Sequence, residues 1–183
     1  MDSYEKIYSE FRWETPEYFN FGNVIDEFSA DHNRVALLWD DQEGNCAHLT
    51  FGDFKEQSNR IANVLTELGV GAGDPVLLVL PRIPIWQAAY IGALNVGAIV
   101  VPCTAMLREK DLVYRANHSG ARAIIASVDS ATMVGDLRNQ CPALAHYLIV
   151  GAARSGWKSL PEEMKKASPR FTIAKTRAGD PAI

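Results

Sequence analysis

A chain of 183 residues has room for one ordinary domain and too little for most multidomain enzymes. With 18 Lys and Arg against 22 Asp and Glu, the formal charge is −4. Apolar residues make up 48% and charged residues 22%. That balance excludes a disordered, collagen-like or disulfide-built chain, and the sign of the charge argues against a nucleic-acid partner.

Residues 1–34 read as an irregular segment that turns helical around Val24 to Ser29, set apart from an α/β unit over 35–183. The start, Met1-Asp2-Ser3-Tyr4-Glu5-Lys6, has neither the apolar core of a signal peptide nor the Arg-rich character of a transit peptide. Cys46, Cys103 and Cys141 are odd in number and far apart. His32, His48, His118 and His146 have no metal-ligand spacing. The expectation is a cytoplasmic protein with reduced thiols and no metal site.

An apparent hairpin follows: Val35 to Trp39, a turn through Asp41 to Asn45, then Ala47 to Leu49. Thr50 is placed to cap the next helix, with Asp53 three residues on in a near capping box. Phe51, Phe54, Ser58, Ile61, Leu65 and Leu68 recur at spacings of three and four, so they share one helix face, and Gly69 ends it. Strands and helices then alternate. Strands are expected at Val76–Leu80, Ala98–Val101, Ala123–Ala126 and Tyr147–Val150, and helices at Pro84–Val96, Glu109–His118 and Ser130–Asn139. A further helix is expected to begin near Pro161. Strands apolar on both faces and separated by helices predict a doubly wound, mainly parallel α/β sheet covered on both sides. Ligands in such sheets bind beyond the carboxyl ends of the strands.

From Ile83 to Leu107 no residue is charged. Pro84, Gly92, Gly97 and Pro102 divide that stretch, so it reads as a buried helix followed by a buried strand and not as a membrane span. Charge is uneven elsewhere: residues 1–53 carry 12 acids and 3 bases, and residues 154–183 carry 3 acids and 7 bases. The basic run reads as a solvated face.

Two glycine-rich segments imitate nucleotide motifs. Gly69-Val70-Gly71-Ala72-Gly73-Asp74 runs from helix to strand, the wrong direction for a dinucleotide fingerprint, and reads as a tight turn. Gly151 to Ser159 follows a strand, but Trp157 stands where a phosphate-binding loop needs Lys. There is no G-x-S-x-G elbow, and Asp40-Asp41 and Glu162-Glu163 read as solvated acids. Residue chemistry alone reaches an α/β domain with no visible catalytic or metal-binding residue.

Four segments in register resemble the N-terminal domain of the adenylate-forming acyl-CoA synthetases. They are Leu49 to Phe54 with Ser58 to Leu65; Leu68-Gly69-Val70 and Gly73 to Val76 leading to Leu80-Pro81-Arg82-Ile83-Pro84-Ile85-Trp86; Leu94 to Pro102; and Asp111-Leu112-Val113-Tyr114-Arg115. The Pro-Arg-x-Pro and Asp-Leu-x-Tyr-Arg pieces are most similar to the acetyl to medium-chain and benzoate-type branch. Ile85 stands where that branch usually carries Glu, and Cys103 where a small residue is common.

The resemblance implies a parent enzyme that joins a carboxylic acid to ATP with Mg2+, releases pyrophosphate, and passes the acyl group from acyl-AMP to CoA. It also implies that this chain is mostly scaffold, inactive alone, without a bound cofactor, and able to self-associate through surface that the rest of the parent would cover. Gly179 to Ile183 resemble the strand that leads into the family's phosphate loop. Arg82 and Arg115 are expected in structural ion pairs or caps, and Arg108 and Lys110 at a rim near the CoA phosphates. Two other readings stay open: a free-standing, non-catalytic α/β interaction module, and a small nucleotide-binding protein using Gly151 to Ser159.

Overall fold

Thr50 shows how local chemistry starts the fold. Its hydroxyl accepts from the Asp53 amide at 3.1 Å while the Asp53 carboxylate accepts from the Thr50 amide at 2.8 Å. This reciprocal cap stops the hairpin and begins the longest helix. A computed structural model describes residues 3–134 and 137–183. Its helices are α1 (Tyr4–Glu10), α2 (Phe21–Phe28), α3 (Phe51–Glu67), α4 (Pro84–Asn95), α5 (Glu109–Ser119), α6 (Val128–Val134) and α7 (Leu160–Lys166). Its strands are β1 (Val35–Asp40), β2 (Cys46–Thr50), β3 (Pro75–Val79), β4 (Ile99–Cys103), β5 (Ala123–Ser127), β6 (His146–Val150) and β7 (Lys158–Ser159).

β1 and β2 form an antiparallel hairpin. The other five strands form a parallel sheet in the order β4-β3-β5-β6-β7. Alternation along each strand divides the core in two. Val76, Leu78, Val100, Ile125 and Leu148 face the side covered by α3 and α4, and Leu77, Val79, Ile124 and Ile149 face the side of α5 and α6. The fold is the doubly wound α/β architecture that the alternating pattern predicts.

α4 is apolar on nearly every side because it lies between the sheet and α3. A Cβ at Gly92 would lie 2.9 Å from Ile61 side-chain atoms and from the Ser58 carbonyl, so the close approach of α3 and α4 requires glycine there. Gly97, at φ +77°, ends the helix and turns the chain into β4. Twelve residues of helix span about 18 Å. No helix among the described residues is long and apolar enough to cross a membrane.

The structure departs from the expected elements in four places. α6 begins at Val128, not Ser130, because the Ser127 hydroxyl accepts from the Ser130 amide at 3.2 Å and so starts the helix directly at the end of β5. It ends at Val134 where a helix to Asn139 was expected, and residues 135 and 136 of that span lie outside the described residues. α1 occupies part of the segment read as irregular, capped by Ser3, with no buried residue. β7 adds a two-residue edge strand. Gly179 to Ile183 form no regular strand, although the Val100 amide donates to the Ala182 carbonyl at 2.9 Å. Pro181 and the edge residue Pro102 have no amide hydrogen with which to extend that pairing.

Candidate functional site

β3 is flanked by β4 on one side and β5 on the other, so the chain reverses direction across the sheet at β3. In open α/β sheets the ligand crevice lies at the carboxyl ends near such a reversal. A cleft of about 330 Å³ opens there, lined by Leu80, Pro81, Arg82, Trp86, Pro102, Cys103, Thr104 and Ala105. It lies between the ends of β3 and β4, one strand from the reversal itself.

Each wall has a local cause. Pro81 and Pro84 force an extended passage from β3 into α4, and Pro84 occupies the first helical position, where a missing amide hydrogen costs nothing. The Trp39 indole of β1 donates to the Arg82 carbonyl at 2.8 Å, which ties the hairpin to this loop. Beyond β4 the Thr104 hydroxyl accepts from Met106 at 3.3 Å, and the Thr104 carbonyl accepts from Leu107 at 3.2 Å. That turn delivers Arg108 to the start of α5, where the Asp111 carboxylate accepts from its backbone amide at 3.2 Å.

The cations at this end are uncommitted. The side chains of Arg82, Arg108, Lys110 and Arg115 take part in no ion pair or hydrogen bond among the described residues. Arg82, Arg108 and Lys110 are exposed. The ion pairs or caps expected for Arg82 and Arg115 are therefore not formed: the first is held through its backbone carbonyl, and the second acts as a nearby charge on Cys103. Arg108 and Lys110 stand after the β4 turn, as the sequence placed them, but neither lines the cleft. Trp86 and Thr104 do line it. Their signal was position alone: Thr104 directly follows β4, and Trp86 lies in the first turn of α4.

Cys103 is buried at the end of β4. Desolvation pushes its thiol upward in pKa, partly opposed by the charge of Arg115. It is therefore a protonated wall residue at neutral pH, not a nucleophile. Ile85, the other departure from the family pattern, packs in the first turn of α4 against the α3–α4 core. Among the described residues no three His, Cys, Asp or Glu side chains are grouped to hold a metal ion.

The loop from Gly151 to Ser159 is closed on itself. Trp157 is buried edge-on against Tyr147 at 5.1 Å, and Arg154 donates to the Thr132 hydroxyl at 2.8 Å. Lys158 lies on β7. The Ser159 hydroxyl takes the Glu162 amide at the start of α7, so that helix end is already capped. Much of the basic run is likewise engaged: Lys165 pairs with Glu162, Lys166 with Glu163 and Arg177 with Glu17, while Lys175 sits 3.7 Å over the Tyr18 ring.

Against this geometry, a family model described as AMP-binding enzyme matches residues 26–183. Human acyl-coenzyme A synthetase ACSM1, mitochondrial, is 33% identical over 184 residues, covering 94% of this chain and 32% of that protein. Human acyl-coenzyme A synthetase ACSM3, mitochondrial, is 34% identical over 186 residues, covering 97% and 32%. Among solved structures, a Brucella canis acyl-CoA synthetase gives a TM-score of 0.87 at 22% identity, over 98% of this chain and 35% of that one. The anthranilate CoA ligase AuaEII in complex with anthranoyl-AMP gives 0.79 at 22% identity, over 90% and 30%. The likeness to these structures is one of fold, and the chain spans about a third of the length of the relatives it matches. The family match and the identity to the synthetases together make this chain a member of the AMP-binding enzyme family.

Proposed function

We propose that the chain is the N-terminal part of an AMP-forming acyl-CoA synthetase. In this reading a carboxylate attacks the α-phosphate of ATP, acyl-AMP forms as pyrophosphate leaves, and the CoA thiol displaces AMP to give the thioester. The observation that carries it is the family match across 26–183, joined to acyl-CoA synthetase relatives of which the chain covers a third. Mg2+ and cationic donors would stabilise charge developing on the phosphates. Residues 1–34 form the leading segment and 35–183 the α/β subdomain.

This chain's share is the scaffold and one rim of the site. Arg108 and Lys110 are cations beyond a strand end with no side-chain partner among the described residues, which suits the phosphates of CoA, and Arg82 shares that end of the sheet. The cleft itself presents an indole, a hydroxyl, a neutral thiol and the cation of Arg82, a set that can bind but offers no general base. The isolated chain is therefore proposed to be inactive. The compartment is proposed to be thiol-reducing, the cytoplasm in the first instance; the two human relatives carry the word mitochondrial in their names.

The test is the gene beyond codon 183 together with its product. A Ser/Thr/Gly-rich loop ending in Pro-Lys within about fifteen codons, and pyrophosphate release that needs both acid and ATP, support the reading. A stop codon directly after Ile183 in the natural gene would overturn it. A second reading, a non-catalytic interaction module, draws on one observation: Tyr4, Ile7, Tyr8 and Phe11 form an exposed stripe along α1. The stop codon would favour that reading.

A further inference from the structure

Residues 168–183 contain no helix or ladder strand, and none of them is buried. Apolar packing therefore does little to fix their course, although Phe171 leans on the α3–α4 core. Their backbone is held instead by hydrogen bonds, and side-chain amides supply those at its start. From α3, Asn63 donates to the carbonyls of Ser168 at 2.9 Å and Arg170 at 3.0 Å, and Asn59 donates to Pro169 at 3.0 Å. The neighbouring Arg60 donates to the Ala167 carbonyl at 2.7 Å, just before the segment begins.

A second set of contacts continues the line. The Ala174 amide donates to the Asn95 carbonyl at 2.8 Å. Asn20 donates to the carbonyls of Ala174 at 3.1 Å and Leu94 at 2.7 Å. Phe19 donates to Thr176 at 3.0 Å, Ala178 to Glu17 at 3.1 Å, and Val100 to Ala182 at 2.9 Å. Residues 174 and 182 thus meet residues 95 and 100 in turn, so the segment advances in the same direction as β4, toward the carboxyl end of the sheet.

Asn95 shows why amides occupy this seam. It is 2% exposed, its amide nitrogen donates to the Asn59 side-chain oxygen at 3.2 Å, and its own side-chain oxygen finds no donor among the described residues. That oxygen faces Gly22, where any Cβ would strike it. A buried unpaired carbonyl is unfavourable, and an apolar residue of similar size would avoid the cost. What the amide supplies is orientation: it occupies the Asn59 oxygen and leaves the Asn59 nitrogen aimed at Pro169.

We propose that Asn59, Asn63 and Asn20, with Asn95 behind them, form an amide latch that sets the register of residues 168–182 along the outer edge of β4. The latch is a conformational device of this chain, and it stands whether or not the synthetase reading does. Its action is local. Removing a donor frees the segment while the sheet stays folded.

Hydrogen exchange on the 183-residue chain tests this. Asn63→Leu keeps the branched shape of the half-buried side chain, with no loss of helix preference, while deleting the donor. It is expected to speed exchange at the amides of Ala174, Ala178 and Val100 about tenfold, with Ile125 and Leu148 in the sheet unchanged. Asn63→Gln, which retains a carboxamide, is expected to recover part of that protection. Asn59→Leu is expected to give the same pattern; should that buried variant not fold, Asn63→Leu decides alone. Exchange at Ala174, Ala178 and Val100 within twofold of the parent, or faster exchange spread equally to Ile125 and Leu148, would overturn the latch.

Discussion

The two ends of the parallel sheet treat their polar side chains in opposite ways. At the amino end, around the α4–β4 turn, Asn20, Asn59 and Asn95 are buried and bonded to one another or to backbone carbonyls. At the carboxyl end, Arg82, Arg108 and Lys110 are exposed, and their side chains bond to none of the described residues. Polar groups that satisfy their own chain are structural. Polar groups that the fold positions and leaves free are available to a ligand. The segments that carry the family resemblance supply Asn59 and Asn95 to the first kind and Arg82 to the second, so resemblance to a family pattern does not by itself distinguish scaffold from site.

The comparison can be broken at several strengths. Leu78→Ala, in the strand that supports both ends, is expected to cost about 2–5 kcal/mol in urea unfolding and to loosen both ends together. Loss of protection at one end only would mean that the ends are not carried by a common core. Asn20→Ala is expected to cost about 1–3 kcal/mol, because the carbonyls of Leu94 and Ala174 each lose one of their donors and α2 loses its cap. Arg82→Ala at the opposite end is expected to stay within about 0.5 kcal/mol of the parent. Equal losses for those two variants would erase the contrast between committed and free polar groups.

Thiol chemistry sharpens the same contrast. Cys46 is exposed, whereas Cys103 and Cys141 are buried with thiol pKa values pushed up by desolvation. Iodoacetamide at neutral pH is expected to label Cys46 in the native chain, and the other two only on unfolding. Rapid native labelling of Cys103 would mean that the cleft is more open and its thiol more acidic than described.

The smallest effect is one of pH. Burial, then the charges of Arg122 and Lys158, lower the pKa of His146 below its ordinary value of 6.5. Below that pH the unfolded chain takes up the proton first, so stability is present above about 6.5 and declines as pH falls through the folded value. His146→Asn is expected to flatten that part of the stability–pH curve. A steeper decline in the variant would reverse the sign of the argument.

The fold was legible where burial is periodic. Phe54, Ile61 and Leu65 announce α3, and the doubly apolar strands announce a sheet covered on both faces. α6 was misplaced by two residues because its start depends on one hydroxyl, Ser127, and not on an apolar repeat. α1 escaped notice because none of its residues is buried, so it contributes nothing to the periodic core. The positions of Arg108 and Lys110 beyond a strand end could be read directly. That Arg82 and Arg115 have no ion pair among the described residues could not, since pairing depends on what tertiary folding brings near them. The amide seam left no local signal at all: Asn59 and Asn63 find their acceptors more than a hundred residues away.

The most direct test of the functional account is the Arg108→Glu, Lys110→Glu double variant in the full-length enzyme that this reading requires. Pyrophosphate release would report adenylation, and thioester formation would be titrated with CoA. The account predicts that adenylation is retained while the apparent KM for CoA rises about tenfold, as loss of two phosphate-facing cations and gain of two anions demand. An unchanged KM for CoA would contradict it and return both residues to the solvated surface.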